Sequence, residues 1–224
     1  MPHHVTLDVA DPDEVRDVIT HGHTRADFFR RGAKAGGAVV AGGLVIGGLP
    51  AIAQGAPRPE LDASVLNFAL TLEYLEAEFY VGAVASGALS GRLLEFATVV
   101  RDHELAHVEF LEGALGDAKI AKPTFDFKGT NTDPSKFPKT AMVLEDLGVM
   151  AYNGQGFKLT PKVLAAAGTI VSVEARHAAW IRRIIGQPIG YPTKWDLPAP
   201  TDLNRALGKG DVLAQVASTG FITG

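Results

Sequence analysis

Two copies of the tetrad Glu-x-x-His constrain the fold of this chain more than any other feature. They occur as Glu104-Leu-Ala-His107 and Glu174-Ala-Arg-His177. Around each copy, apolar or small residues recur at alternating steps of four and three, the spacing that keeps side chains on one face of a helix in a bundle. Each tetrad is therefore predicted to point an acid and an imidazole into a hydrophobic interior.

A second repeated pair precedes each tetrad and extends the pattern to four helices. Glu73 stands 31 residues before Glu104 and is followed seven residues later by Tyr80. Glu145 stands 29 residues before Glu174 and is followed at the same interval by Tyr152. All of these continue the four-and-three spacing of their own segments. Six titratable groups are thus predicted to share one interior, namely Glu73, Glu104, His107, Glu145, Glu174 and His177.

The remaining signals place these groups in an all-α four-helix bundle spanning 62–186. We predict its helices at roughly 62–85, 91–115, 138–153 and 161–185. The first two are joined by few residues and must form an antiparallel hairpin. The second and third are separated by roughly twenty residues rich in Pro, Gly, Asn and Asp, which is typical of a bundle with a long crossover. A loop-rich C-terminal segment, 187–224, is predicted to contain one short helix near 211–218.

The cost of buried charge decides what must accompany such a bundle. An ionised carboxylate in a dry core costs several kcal/mol even after relaxation. Four of them would exceed the ~5–15 kcal/mol by which a domain is usually stable. Protonation with strongly raised pKa values is one solution; coordination is the other, because two divalent cations cancel four carboxylate charges. The chain has no cysteine, so oxygen and imidazole nitrogen must be the ligands, which favours iron or manganese and, less strongly, zinc.

At these residues the chain resembles the ferritin-like di-iron carboxylate superfamily, which takes one Glu from each of two helices and Glu-x-x-His from the other two. The resemblance covers about residues 62–185, including the helix order and the crossover. The stretches 66–80, 144–152 and 173–180 resemble more closely the exported ferritin-like proteins related to plant desiccation-related proteins. The resemblance implies a dinuclear centre with six ligands, Glu73, Glu104, His107, Glu145, Glu174 and His177. It does not assign which carboxylates bridge the ions.

Several neighbours of these ligands have two interpretations. Glu76 competes with Glu73, but it lies about 60° off the seam, so a solvated position or one behind the ligands is favoured. Tyr80 and Tyr152 either pack in the core with a bonded hydroxyl or serve as supporting or redox-active groups beside the metal. We expect a solvated face at Arg176, Arg182 and Arg183.

A rival motif overlaps the first tetrad. His103-Glu-Leu-Ala-His107 matches H-E-x-x-H, in which the two histidines bind zinc and Glu104 is the general base of a hydrolase. That interpretation needs a third zinc ligand, for which Glu145 is the candidate, and it leaves Glu73, Glu174 and His177 buried without a role. Val173 stands where a repeat of His103 would fall. It is kept as an alternative. Otherwise His103 is expected at the surface or just behind the ligands.

Residues 1–53 differ in kind from the bundle and are predicted to be an export signal. The stretch Thr24-Arg-Ala-Asp-Phe-Phe-Arg30 resembles a twin-arginine (Tat) signal in which Ala26 replaces the second arginine. An uncharged apolar run, 35–53, follows and ends in Ala51-Ile-Ala53, which suits a cleavage site. We expect export by the Tat machinery to the periplasm or the exterior, with an uncleaved membrane anchor as the alternative. Residues 54–61 are predicted to be a linker.

Three functions are compatible with these observations. The first is an oxidoreductase acting on dioxygen, peroxide or ferrous iron, as a ferroxidase, peroxidase or catalase-like enzyme. The second is a non-catalytic stress or desiccation protein stabilised by its metal. The third is the zinc hydrolase. A formal net charge of -4 gives no global basic field, so nucleic acid is not an expected partner. The expected partners are a small oxidant or metal ion, and a homo-oligomer is compatible with the sequence.

Overall fold

Five α-helices follow one another in the computed structural model, which describes residues 59–186, 197–199 and 201–224. They are α1 (Pro59–Ala85), α2 (Gly91–Leu115), α3 (Phe137–Gln155), α4 (Pro161–Ile185) and α5 (Lys209–Thr219). The regular elements within these ranges are helices, apart from one isolated β-bridge, so the prediction of an all-α bundle is confirmed. The predicted export signal lies outside the described residues. None of the described helices is long and apolar enough to cross a membrane.

The four long helices pack as two pairs. α1 contacts α2 most extensively and α3 contacts α4, while smaller contacts between α1 and α3 and between α2 and α4 join the pairs. The predicted long crossover between α2 and α3 is present. Pro161 in the first turn of α4 suits a position whose backbone N–H has no partner in the helix.

Two apolar clusters fill the bundle on either side of its middle. The larger cluster includes Phe79, Tyr80, Phe96, Phe137 and Ile181, and the smaller one includes Leu66, Leu70, Tyr74, Leu111 and Ile170. On α4 the transition is direct: Ile170 belongs to the smaller cluster, Ile181 belongs to the larger, and Glu174 and His177 lie between them. The titratable residues therefore occupy a polar layer with apolar packing on both sides.

The C-terminal segment covers α1 and α3 from outside the four-helix core. Val212 and Val216 of α5 are buried in the larger cluster. The Leu207 N–H donates to the carbonyl of Met150 on α3 at 3.0 Å, and a bridge between Phe125 and Ile222 ties the chain end to the crossover. This covering gives α1 and α3 a second buried side, which the spacing of their own seams does not predict.

One of the three arginines expected on a solvated face is instead buried. Arg182 is 2% exposed, and its guanidinium forms an ion pair with Asp146 of α3. The prediction is wrong for this residue because its position on α4 is turned toward α3 rather than toward solvent. Arg176 and Arg183 are exposed, as predicted.

Candidate metal centre

The six residues predicted as ligands come together in the middle of the bundle. All of them are buried, and Glu104, Glu145 and Glu174 have no exposed surface. Their side-chain atoms form two overlapping groups, each with its atoms within 4.8 Å of one another. The first group is Glu73, Glu104, His107 and Glu174, and the second is Glu104, Glu145, Glu174 and His177.

In the first group three carboxylates converge on one imidazole nitrogen. His107 Nδ1 lies 3.2 Å from Glu73 Oε2, 3.3 Å from Glu104 Oε2 and 3.0 Å from Glu174 Oε1. A single N–H can align well with only one of these oxygens. The geometry therefore gathers more acceptors around one point than the imidazole can satisfy.

The second group repeats this arrangement around His177. Its Nδ1 lies 3.1 Å from Glu104 Oε1, 3.1 Å from Glu145 Oε2 and 4.0 Å from Glu174 Oε2. Glu104 and Glu174 thus turn one oxygen toward each imidazole. Glu73 faces only His107, and Glu145 faces only His177. The geometry distinguishes two shared carboxylates from two terminal ones, which sequence spacing leaves unassigned.

The two tyrosines support the terminal carboxylates crosswise. The Tyr152 hydroxyl of α3 donates to Glu73 Oε1 of α1 at 2.6 Å, and the Tyr80 hydroxyl of α1 donates to Glu145 Oε1 of α3. Burial and the neighbouring carboxylates raise the pKa of both phenols well above the usual value, so both remain donors. Each terminal carboxylate therefore has one oxygen on a phenol and the other near an imidazole. Sequence spacing predicts neither partner, because each tyrosine bonds to the acid of the other helix.

Without metal, protons on the histidines hold the acids together. Burial opposes charging of His107, but the three carboxylates close to its Nδ1 outweigh burial and raise its pKa to about 12. Glu104 and Glu145 outweigh burial at His177 and raise its pKa to about 10. Burial also opposes ionisation of Glu104, but the two protonated histidines beside it outweigh burial and lower its pKa to about 2. Burial raises the pKa of Glu73 to about 7, and burial followed by neighbouring acids raises that of Glu174 well above its ordinary range.

His103 lies outside both groups. It is exposed, and its Nδ1 is 2.8 Å from His177 Nε2, with the two rings stacked at 5.1 Å between centroids. The H-E-x-x-H interpretation requires His103 and His107 to face one ion. His103 instead lies behind His177, so the geometry does not favour the zinc hydrolase.

Glu76 is a buried acid of α1, whereas one of its two predicted positions was solvated. It is 3% exposed, so a solvated position is wrong. Its Oε2 atom has no hydrogen-bond partner. A small cavity beside it is lined by Leu72, Leu75, Leu144, Leu147, Gly148 and Val216. Because Val216 belongs to α5, the side of α1 that carries Glu76 is closed by the C-terminal helix.

The chemistry of the cluster fits two divalent cations. Each group offers three carboxylate oxygens and one imidazole nitrogen, which are ligands for iron, manganese or zinc. Glu104 Oε1 and both oxygens of Glu174 are buried without a hydrogen bond of good geometry, so lone pairs point into the shared space. Four carboxylates also match the charge of two divalent ions. Clustered and buried Glu and His side chains that can bind metal are thus present.

We expect the metal-free protein to be most stable near pH 4.5. Glu104, with its lowered pKa, contributes stability above pH 4.5 that is lost as the pH falls through about 2. Glu73, with its raised pKa, contributes stability below pH 4.5 that is lost as the pH rises through about 7. The histidines add a further loss above pH 6.5 that continues through about 10 and 12. Urea unfolding of chelator-treated protein between about pH 3 and 9 checks this, and stability rising from about pH 4.5 to 9 would contradict it.

The family model described as a ferritin-like domain matches residues 61–187 of the 224-residue chain, which is more than half of it. The matched stretch contains all six clustered residues. No protein with a curated description matches the chain.

Proposed function

This chain belongs to the ferritin-like domain family, and on that premise we propose that its buried cluster is a dinuclear iron or manganese centre of an oxidoreductase. The observation that carries the proposal is the convergence of four carboxylates on two imidazole nitrogens, at 3.0 to 3.3 Å for five of the six contacts. Hydrogen bonds alone cannot satisfy so many acceptors. Two ions would satisfy them and cancel their charge.

Each residue has a defined task in this proposal. Glu104 and Glu174 would bridge the ions, Glu73 and His107 would hold one, and Glu145 and His177 would hold the other. Both histidines would be neutral and offer Nδ1, which leaves His177 Nε2–H to donate to His103. The two tyrosines would fix the terminal carboxylates by their hydroxyls. Bound iron or manganese would exchange electrons with a small oxidant such as dioxygen or peroxide, or with ferrous iron as substrate.

We also propose that the protein is exported by the Tat route and acts in the periplasm or outside the cell. The basic stretch 24–30, the apolar run 35–53 and the small residues at its end support this proposal. Export in the folded state would allow the metal to be bound before the protein leaves the cytoplasm. An uncleaved, membrane-anchored form is the alternative.

A non-catalytic stress or desiccation-related role is the second candidate. It is favoured by the burial of acids such as Glu174, whose ionisation the metal-free fold strongly disfavours. Ions that bind only the folded state would then stabilise it by mass action. In this role the metal centre would link the four helices and would not catalyse a reaction.

Metal analysis and oxidant consumption of the full chain separate these candidates. We expect two iron or manganese ions per chain, and a change in the absorption of the iron-loaded protein on exposure to dioxygen or peroxide. Two ions that raise the melting temperature without oxidant consumption would instead support the structural role. One zinc ion per chain with peptidase activity would support the hydrolase. Absence of metal from protein prepared with excess iron and manganese would overturn the proposal.

A further inference from the structure

The two groups of the cluster have different surroundings. α1 contributes Glu73 to the first group and nothing to the second. Glu76 lies one turn further along α1, 3% exposed, with Oε2 free of any hydrogen bond. A buried acid oxygen without a partner carries the full penalty of losing its hydration, and that penalty is larger when the group is charged. Such a residue needs a compensating neighbour.

The Glu76 carboxyl borders the second group across Gly148 of α3. A Cβ added to Gly148 would lie 3.3 Å from Glu174 Oε2 and 3.5 Å from Glu76 Oε1. Two acids therefore approach the same spot, and the missing side chain of Gly148 leaves that spot open. Glu174 Oε2 is also the oxygen turned toward His177, which places Glu76 on the His177 side of the cluster.

The extra acid at position 76 makes the two copies of the repeated sequence pattern unequal. Glu76 follows Glu73 by three residues, and Gly148 follows Glu145 by three. The two positions correspond, yet one carries an acid and the other carries no side chain. The second group therefore has a neighbouring carboxyl for which the first has no equivalent at the matching position.

The apolar cavity argues that Glu76 is not a packing residue. The other side chains around the cavity are leucines and a valine. A leucine or methionine at position 76 would fill this space without burying a polar atom. A cation on its other side would offset the cost of burying the carboxyl.

We infer that Glu76 is a fifth acidic residue of the centre and its seventh residue in all, serving the ion of the second group and making that ion the more tightly held of the two. The inference rests on the proposed dinuclear centre. In this arrangement the Glu76 carboxylate joins Glu145, Glu174 and His177 around the ion of the second group. Gly148, which has no side chain, leaves the space that this carboxylate needs. The two metal positions are therefore unequal although the ligand pattern around them repeats.

Stepwise Mn²⁺ binding to the full chain, measured by calorimetry, tests the inference. We expect the wild-type protein to bind two ions with distinct affinities. Glu76→Gln should still bind two, with the tighter event weakened by ~10-fold or more, a loss usual for groups that support metal ligands. Gly148→Ala, which places a methyl group between the two carboxyls, should weaken the same event. Glu109→Gln, at an exposed position of α2, should change neither event.

Melting temperatures measured with and without metal distinguish a metal-binding role of Glu76 from a role in packing alone. The two roles predict different changes in the stability of the metal-free protein. Glu76→Gln should leave the metal-free protein as stable or more stable, because a buried acid is replaced by a neutral group, and should lower the stability of the loaded protein. Losses of equal size in both states would overturn the inference, as would unchanged affinities in both variants. Wild-type protein that binds no Mn²⁺ or iron would overturn the proposed function as well. Wild-type protein that binds two ions with equal affinity would overturn the inference alone.

Discussion

Replacing Glu104 by Gln is expected to reduce the metal content below one ion per chain, whereas the same change at Glu145 should remove one ion and keep the other. Glu104 has no exposed surface and places one oxygen 3.3 Å from His107 Nδ1 and the other 3.1 Å from His177 Nδ1. It is therefore the residue most equally shared between the two groups. Gln keeps the volume of this buried side chain while removing one oxygen and the charge.

The loss of both ions should also appear as a loss of stability. An ion present at 1,000 times its dissociation constant stabilises the folded state by ~4 kcal/mol, a large part of the ~5–15 kcal/mol of a typical domain. Elemental analysis together with melting curves, with and without metal, measures both effects. Glu109→Gln is the control at an exposed position of the same helix. Two ions retained in Glu104→Gln would remove this residue from the shared position.

Gly154→Ala is expected to destabilise the protein by ~3 kcal/mol or more and to release the segment around Leu207 from α3. A Cβ at position 154 would overlap the carbonyl oxygen of Leu207 and lie 2.5 Å from its carbonyl carbon. The backbone of Leu207 would have to move, breaking its bond to Met150 at 3.0 Å and the bond from Gln155 Nε2 at 3.3 Å.

The sign of this effect is informative because alanine is normally the better helix residue by ~0.5–1 kcal/mol. Gly168 of α4 provides the matched control, since a Cβ there meets nothing within 4 Å. Gly168→Ala should therefore be neutral or stabilising. Urea unfolding gives the two free energies, and limited proteolysis should cut near position 207 in Gly154→Ala. Equal stability of the two variants would show that the segment does not depend on close approach to α3.

The helices and the cluster were predictable because both depend on local patterns. Glycine and proline mark helix ends within a few residues, and the four-and-three spacing gives the inward face of each helix. The positions of Glu104 and Glu174 in their seams follow from this spacing. Their shared position does not, because it depends on which oxygen each turns toward which imidazole.

The misplaced residues share a tertiary cause. Glu76 lies off the seam of α1 and is buried because α5, distant in sequence, closes that side. Arg182 is buried because α3 presents Asp146 to it. Neither contact can be predicted from the spacing of apolar residues along α1 or α4. A helix covered on two sides needs its partners, as well as its own sequence, to define which residues are inside.

The crossed bonds between the tyrosines and the terminal glutamates fix the register of the two helical hairpins. A slide of α1 past α3 by one turn, ~5.4 Å, would separate both phenols from their acids at once. Misaligned hairpins would then keep much of their apolar contact area but would bury two hydroxyls and two acids without hydrogen-bond partners. The four side chains that position the carboxylates of the centre therefore also select one alignment of the hairpins during folding. They disfavour shifted alignments that non-directional apolar packing alone would allow.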